Sequence, residues 1–329
     1  MTTLQWVTAA YVVLVGFGAL ACETMEPGVA GNLVPPTVAE DPTLPAIQLN
    51  GARMHAQTMG NPANPVIVFL HGGPGGDYRS LLALAERWGG YSLADEYFLV
   101  FWDQRGAGLS ARRDKAELTI ETYTADLQAL VQRYAPGRPV ILIGESWGGM
   151  FATQFINTYP ARVAGAVLIE PGPLDGPTFE RIKDDLFELD LRAEWVNDYM
   201  WNSQFLSPDG HERMDYTLML GARGAQSSPV WRLGAAAHRY LMEDGQDAHG
   251  VFVYDFTTQL SRYTTPVLFL AGSESDVLGE SLQQEQIARY PNASLQIIAG
   301  ADHDVAWTHA ADVLTHIRTY LNAQNGGVR

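Results

Sequence analysis

The chain has 329 residues, 47% of them hydrophobic, enough to bury a substantial core in one large domain with an insertion or in two smaller ones. Its 37 Asp and Glu against 21 Lys and Arg give a formal net charge of -16, which repels phosphate backbones and argues against nucleic acid as a partner. The single cysteine, Cys22, leaves no intramolecular disulfide to form.

The first element is an apolar run, Trp6 to Ala21 (WVTAAYVVLVGFGALA). At ~1.5 Å per residue it would span ~24 Å as a helix, short of a ~30 Å hydrocarbon core. That length suits a signal peptide over residues 1–21 better than a spanning helix. Ala19-Leu20-Ala21-Cys22 resembles the lipobox of bacterial lipoproteins, although Ala19 stands where leucine is usual and MTTLQ carries no Lys or Arg. The resemblance implies export to the periplasm or outer membrane, with Cys22 as the lipidation site and the only membrane contact. Residues 22–45 hold five prolines and no helical period, which reads as an extended tether.

Alternation around Asn50-Gly51 predicts a β-hairpin. Short, wholly apolar runs follow at Val66–Leu70, Tyr97–Trp102, Val140–Ile143, Gly165–Ile169, Val267–Leu270 and Leu295–Ile298. Such runs predict strands covered on both faces. Helical stretches separate them, at about Glu121–Tyr134, Gly148–Tyr159, Leu278–Tyr290 and Thr308–Leu321. The alternation predicts a doubly wound, mostly parallel α/β sheet. It breaks between Gly172 and Tyr263, a stretch rich in Trp, Tyr and Met with helical patterning. A core over 46–172 and 263–325 and a helical cap over 173–262 are therefore expected, the cap roofing a site at the carboxyl edge of the sheet.

After the strand VILI stands Gly144-Glu145-Ser146-Trp147-Gly148, a G-x-S-x-G placed between strand and helix. The tight turn lifts the serine hydroxyl off the sheet, and its crowding demands glycine two residues either side. A serine needs an imidazole to take its proton. His303, just past the last strand in Ala301-Asp302-His303, is placed for that, whereas His309 and His316 fall in a predicted helix. An acid is expected after VLFLAG, where Asp276 is preferred and Glu274 is the alternative. For the oxyanion, the backbone N–H groups of Trp147 and of Gly73 are the expected donors, with Gly72 in reserve.

Three segments together, HGGPGG at 71–76, WDQRGAGLS at 102–110 and GESWGG at 144–149, resemble the proline iminopeptidase branch of the α/β hydrolases. The resemblance implies the α/β-hydrolase fold, a Ser146–His303–acid triad, a helical cap and no cofactor. It also implies that Asp103-Gln104-Arg105 braces the loops near the site; His71, which precedes its loop instead of pointing at the serine, is expected to be structural. Aminopeptidases of this branch grip the substrate α-amine with cap glutamates, one in a segment like ARIENHYF. The nearest stretch here, AAAHRYLMEDG at 235–245, has no acid at that place. Glu194, Asp198, Glu243 and Asp244 are the remaining cap acids considered.

The expected function is cleavage of an amide or ester in a small molecule or peptide through an acyl-enzyme, either as an aminopeptidase or as a small-acyl esterase. A cofactor-free lyase-type enzyme and a non-catalytic binding protein on the same fold are the alternatives. The carboxylate nucleophile of dehalogenases and epoxide hydrolases is missing, since position 146 is serine. No His/Asp/Glu cluster shows ligand spacing, so no metal is expected.

Overall fold

Eight strands form one sheet in the order β1-β2-β4-β3-β5-β6-β7-β8. The computed structural model describes residues 34–186, 210–222 and 229–324. The expected signal segment, Cys22, Glu194 and Asp198 lie outside these residues. Asn50 and Gly51 both take left-handed φ, 43° and 77°, the twist a two-residue hairpin needs. They join β1 (Ala46–Leu49) to β2 (Ala52–Met59). From β2 the sheet passes to β4 (Phe98–Trp102) antiparallel, and every later pairing is parallel. These strands are β3 (Val66–Leu70), β5 (Val140–Glu145), β6 (Val163–Ile169), β7 (Val267–Gly272) and β8 (Ala293–Ile298).

Every residue of β3, β4, β5 and β7 is buried, because helices cover both faces. On one side lie α1 (Ile120–Tyr134) and α2 (Trp147–Thr158), with Leu127, Leu130, Phe151 and Phe155 packed on the sheet. On the other, Ile67, Phe69, Phe101 and Ile143 meet Leu314, Ile317 and Leu321 of the C-terminal helix and Leu81 and Leu84 of a short 3₁₀ turn, Ser80–Ala85. Exposure alternates along β8, which closes one edge of the sheet, and varies along the β1–β2 hairpin at the other.

Between β6 and β7 the described residues form three helices, α3 (Gly176–Leu186), α4 (Gly210–Ala222) and α5 (Ala235–Asp244). Then follow α6 (Glu280–Ile287), a single turn α7 (Val305–Thr308) and α8 (Ala310–Gln324). His316 lies in α8 and His309 in the break before it, so neither reaches the loop that carries His303.

One expectation fails at the N-terminal end. From Val34 on, the segment read as an extended tether is docked on the body. Val34, Thr37 and Val38 are buried, and Val34 packs with Tyr216, Met219 and Leu233. The Val38 N–H donates to the Leu109 carbonyl (2.8 Å) and the Arg232 guanidinium to the Pro35 carbonyl (2.8 Å). Prolines abolish helical period without making a segment polar, and two valines found an apolar face to cover.

β3 lies between β4 and β5, so the chain leaves β3 in one direction and returns on the other side. Ligands bind at such a reversal, beyond the carboxyl ends of the strands. The loop after β3 and the turn after β5 meet there.

Candidate active site

Ser146 follows β5 with φ 54° and ψ -120°, a backbone conformation costly for a residue with a side chain. The neighbouring glycines enforce it. A Cβ at Gly144 would collide with the Gly148 carbonyl, and one at Gly148 with the Leu70 carbonyl. Ser146 is half-buried at the start of α2. Its own N–H donates to the Ile169 carbonyl (2.9 Å). The helix behind it places the Trp147 N–H in the first turn, where no intrahelical acceptor exists.

Facing the serine is the loop after β3. A Cβ built on Gly72 would sit 3.3 Å from Ser146 Cβ and 3.9 Å from its Oγ. Of the two glycines considered as oxyanion donors, the reserve one is thus packed directly against the serine. Gly73 follows at φ 122°. His71 is wholly buried. Its Nδ1–H donates to the Gly72 carbonyl (2.9 Å), while Nε2 accepts the Gln104 N–H (3.0 Å). Burial pushes its pKa down, so it stays a neutral brace.

Gln104 ties both sides of the site together. Its amide nitrogen donates to the His71 carbonyl (3.2 Å) and its amide oxygen accepts the Trp147 indole N–H (3.0 Å). On either side, buried Asp103 accepts from His55 Nδ1 and from the backbone N–H groups of Tyr78 and Leu109. Arg105 forms a two-pronged pair with buried Asp126 (2.7 and 2.8 Å). The segment is the structural brace that the motif implies.

The cap is seated on this same loop. The Gly234 N–H donates to the Gly75 carbonyl (2.7 Å), and His238 Nδ1 to that of Pro74 (3.0 Å). Asp77 accepts the N–H groups of Trp231 and Arg232. Behind them, buried Asp215 accepts from Arg112, Arg232 and the Ala235 N–H.

His303 stands in the loop after β8, where the sequence puts it. The carboxylate it meets is not one of the two expected. Nδ1 lies 2.6 Å from Oε2 of Glu170, the residue directly after β6. Glu170 is wholly buried at left-handed φ 41°. Its Oε1 accepts the Gly272 N–H (2.6 Å) and its Oε2 also accepts the Ser275 hydroxyl (2.9 Å). Asp276 and Glu274, the acids expected from sequence, are both exposed and neither is His303's partner. Burial lowers the His303 pKa, but the hydrogen bond and charge of Glu170 outweigh it, and the net direction is upward. The imidazole keeps 43% of its side chain exposed, so a substrate can reach it.

Glu170 was missed although a signal existed: GAVLIEPG ends a buried strand on an acid just before the insertion. Ser146 and Glu170 stand on adjacent strand ends, one step past the paired residues Glu145 and Ile169. The hydroxyl, the imidazole and a dry carboxylate are thereby brought to one edge of the sheet. Among the described residues no group of three or more His, Cys, Asp or Glu converges to hold a metal ion.

The profile of the alpha/beta hydrolase fold family matches residues 65–310. The chain is 26% identical over 298 residues to a proline iminopeptidase of Pestalotiopsis fici, covering 84% of this chain and 98% of the relative. Among solved structures, a proline iminopeptidase from Mycobacterium smegmatis superposes with a TM-score of 0.60 at 16% identity, over 85% of this chain and 98% of that one. An esterase from Thermogutta terrifontis superposes with a TM-score of 0.59 at 19% identity, over 85% of this chain and 99% of that one.

Proposed function

The chain belongs to the alpha/beta hydrolase fold family, and within it we propose a serine hydrolase that works through an acyl-enzyme, with Ser146 as nucleophile, His303 as base and Glu170 as the orienting acid. The observation that carries this reading is the hydrogen bond between His303 and the buried Glu170, at the sheet edge where Ser146 is held at φ 54°. With Nδ1–H donated to Glu170, the free nitrogen of the neutral ring is Nε2, the atom that must accept the serine proton.

In acylation Oγ forms a bond to the carbonyl carbon as its proton passes to Nε2. The carbonyl oxygen becomes an oxyanion facing the N–H of Trp147 and the glycines of the 72–73 turn. Collapse expels the leaving alcohol or amine, which takes the proton from Nε2. Water then repeats the sequence on the acyl-enzyme and frees Ser146.

Of the two substrate classes, small acyl esters fit better than aminoacyl amides. An α-amine needs an uncommitted carboxylate, and the cap acids considered for that role within the described residues have internal partners. Glu243 pairs with Lys115 and Arg239, and Asp244 accepts the Ile120 N–H and the Tyr254 hydroxyl.

A fluorophosphonate probe should label the wild-type protein and leave Ser146→Ala unlabelled. Equal labelling of both would remove Ser146 as nucleophile. Turnover of p-nitrophenyl acetate should exceed that of prolyl-naphthylamide, and the opposite order would move the reading to an aminopeptidase.

A further inference from the structure

A second carboxylate stands at the serine turn that the mechanism does not use. Glu145 ends β5 immediately before Ser146 and is only 8% exposed. Successive side chains on a strand point to opposite faces, so Glu145 turns away from the cap-facing loop toward the face that carries the 3₁₀ turn Ser80–Ala85. The Ser80 hydroxyl lies 3.4 Å from its Oε2. That same turn packs against α7, the helix that begins two residues after His303. Glu145 is thus walled in between the serine strand and the histidine loop.

Four groups act on its charge. His303 is the one that can be cationic; Glu170 at the end of β6 and Asp304 ahead of α7 are anionic; Ser80 is the neutral donor. Among the described residues no Lys or Arg forms an ion pair with it. A buried carboxylate without a permanent cation is costly, and burial pushes the Glu145 pKa up to about 7, with His303 and Ser80 opposing and the two acids adding to the rise.

On the serine-hydrolase reading above, we propose that Glu145 is a positioning residue that acts through His303: its carboxylate, with that of Glu170, holds the imidazolium formed as Ser146 is acylated. Glu170 fixes the ring by direct contact, and Glu145 acts on it through charge alone. Because Glu145 is itself buried, its charge is screened less than a surface carboxylate's would be. The pair makes His303 a stronger base and supports its charge in the transition state. Because Glu145 itself ionises near neutrality, that support grows as pH rises through 7. The enzyme gains a second ionisation that favours the alkaline side.

The test is the pH profile of kcat/KM for p-nitrophenyl acetate in the wild type and in Glu145→Gln, which keeps shape and removes charge. The variant's acid limb should move about one pH unit lower. Its kcat at pH 8 should fall roughly three- to tenfold with KM within about twofold. Loss of packing alone would lower the rate without moving the limb.

Ser80→Ala provides the second variant, since it leaves the carboxyl in place and removes a donor that favours its charged form. It should resemble Glu145→Gln at pH 7 and recover the wild-type rate by pH 9. Limbs superimposable on the wild type in both variants, while a fluorophosphonate still labels Ser146, would overturn the role of Glu145 alone. Absence of labelling in the wild type would instead overturn the serine-hydrolase reading beneath it.

Discussion

Two acid-bearing turns stand side by side at the carboxyl edge of the sheet, and they divide one task. The turn after β7 carries Glu274 and Asp276, both exposed. The turn after β6 carries Glu170, wholly buried, with three donors on its two oxygens: the Gly272 N–H, the Ser275 hydroxyl and His303 Nδ1. A carboxylate that must hold an imidazolium gains most where water is excluded and donors keep it ionised. The β7 turn contributes those donors, one from its backbone and one from a serine, while the β6 turn contributes the charge. In the proposed triad, position after a strand therefore does not decide which acid serves. Burial and donors decide it.

The sharpest break would come from Glu170→Gln. An amide of the same shape can donate to the ring and favour the wrong tautomer, and kcat should fall ~10³–10⁴-fold. The pH profile adds a signed check. Only neutral imidazole can take the serine proton, so activity rises with pH through the His303 pKa, which Glu170 raises against the effect of burial. The wild-type acid limb should lie above the ordinary histidine value of about 6.5, and the limb of Glu170→Gln should lie lower. An Asp276→Asn variant more damaged than Glu170→Gln in the same assay would reverse the comparison.

Ser275→Ala tests the donor half of the division. Glu170 Oε2 would keep His303 and lose its hydroxyl partner. A hydrogen bond to a charged group contributes more than a neutral one, yet here it acts on the reaction only through the acid. A roughly three- to tenfold drop in kcat, with KM near wild type, is the expected result. An unchanged kcat would mean that the β7 turn supplies no more than its backbone.

The same contrast separates what the sequence disclosed from what it hid. Ser146 was legible because its constraint is local: the glycines at 144 and 148 answer collisions made within a few residues of the turn or with the strand beside it. His303 was legible because the last strand of a parallel sheet delivers its loop to the same edge as the others. The parallel strands were visible as apolar runs, of which β8 is half-exposed at the sheet edge, and the β1–β2 hairpin was visible through its alternation. Glu170 was harder to see because its one local mark, an acid closing a buried apolar strand, does not say what will hold it. Its donors Gly272 and Ser275 arrive 102 and 105 residues later, after the whole cap has been inserted. The docking of Val34 was hidden for a similar reason, since its partners Tyr216, Met219 and Leu233 belong to the cap. Short-range sterics were readable, and choices settled by distant partners were not.

The smallest effects should come from the acids that match the familiar pattern. Asp276→Asn and Glu274→Gln remove charges that face solvent, where mobile ions screen them over about 8 Å at physiological ionic strength. Each should leave kcat for p-nitrophenyl acetate within about twofold of wild type and the acid limb in place. Their residual influence would be long-range attraction for the imidazolium, and it should fade as salt is raised. Glu170→Gln, by contrast, should stay defective at any salt, because its loss is a direct hydrogen bond to a buried carboxylate. A tenfold loss in Asp276→Asn that persists at high salt would require the β7 turn to swing inward during turnover and bring a second carboxylate to the ring. The division between a charged turn and a donating turn would then describe only the resting enzyme.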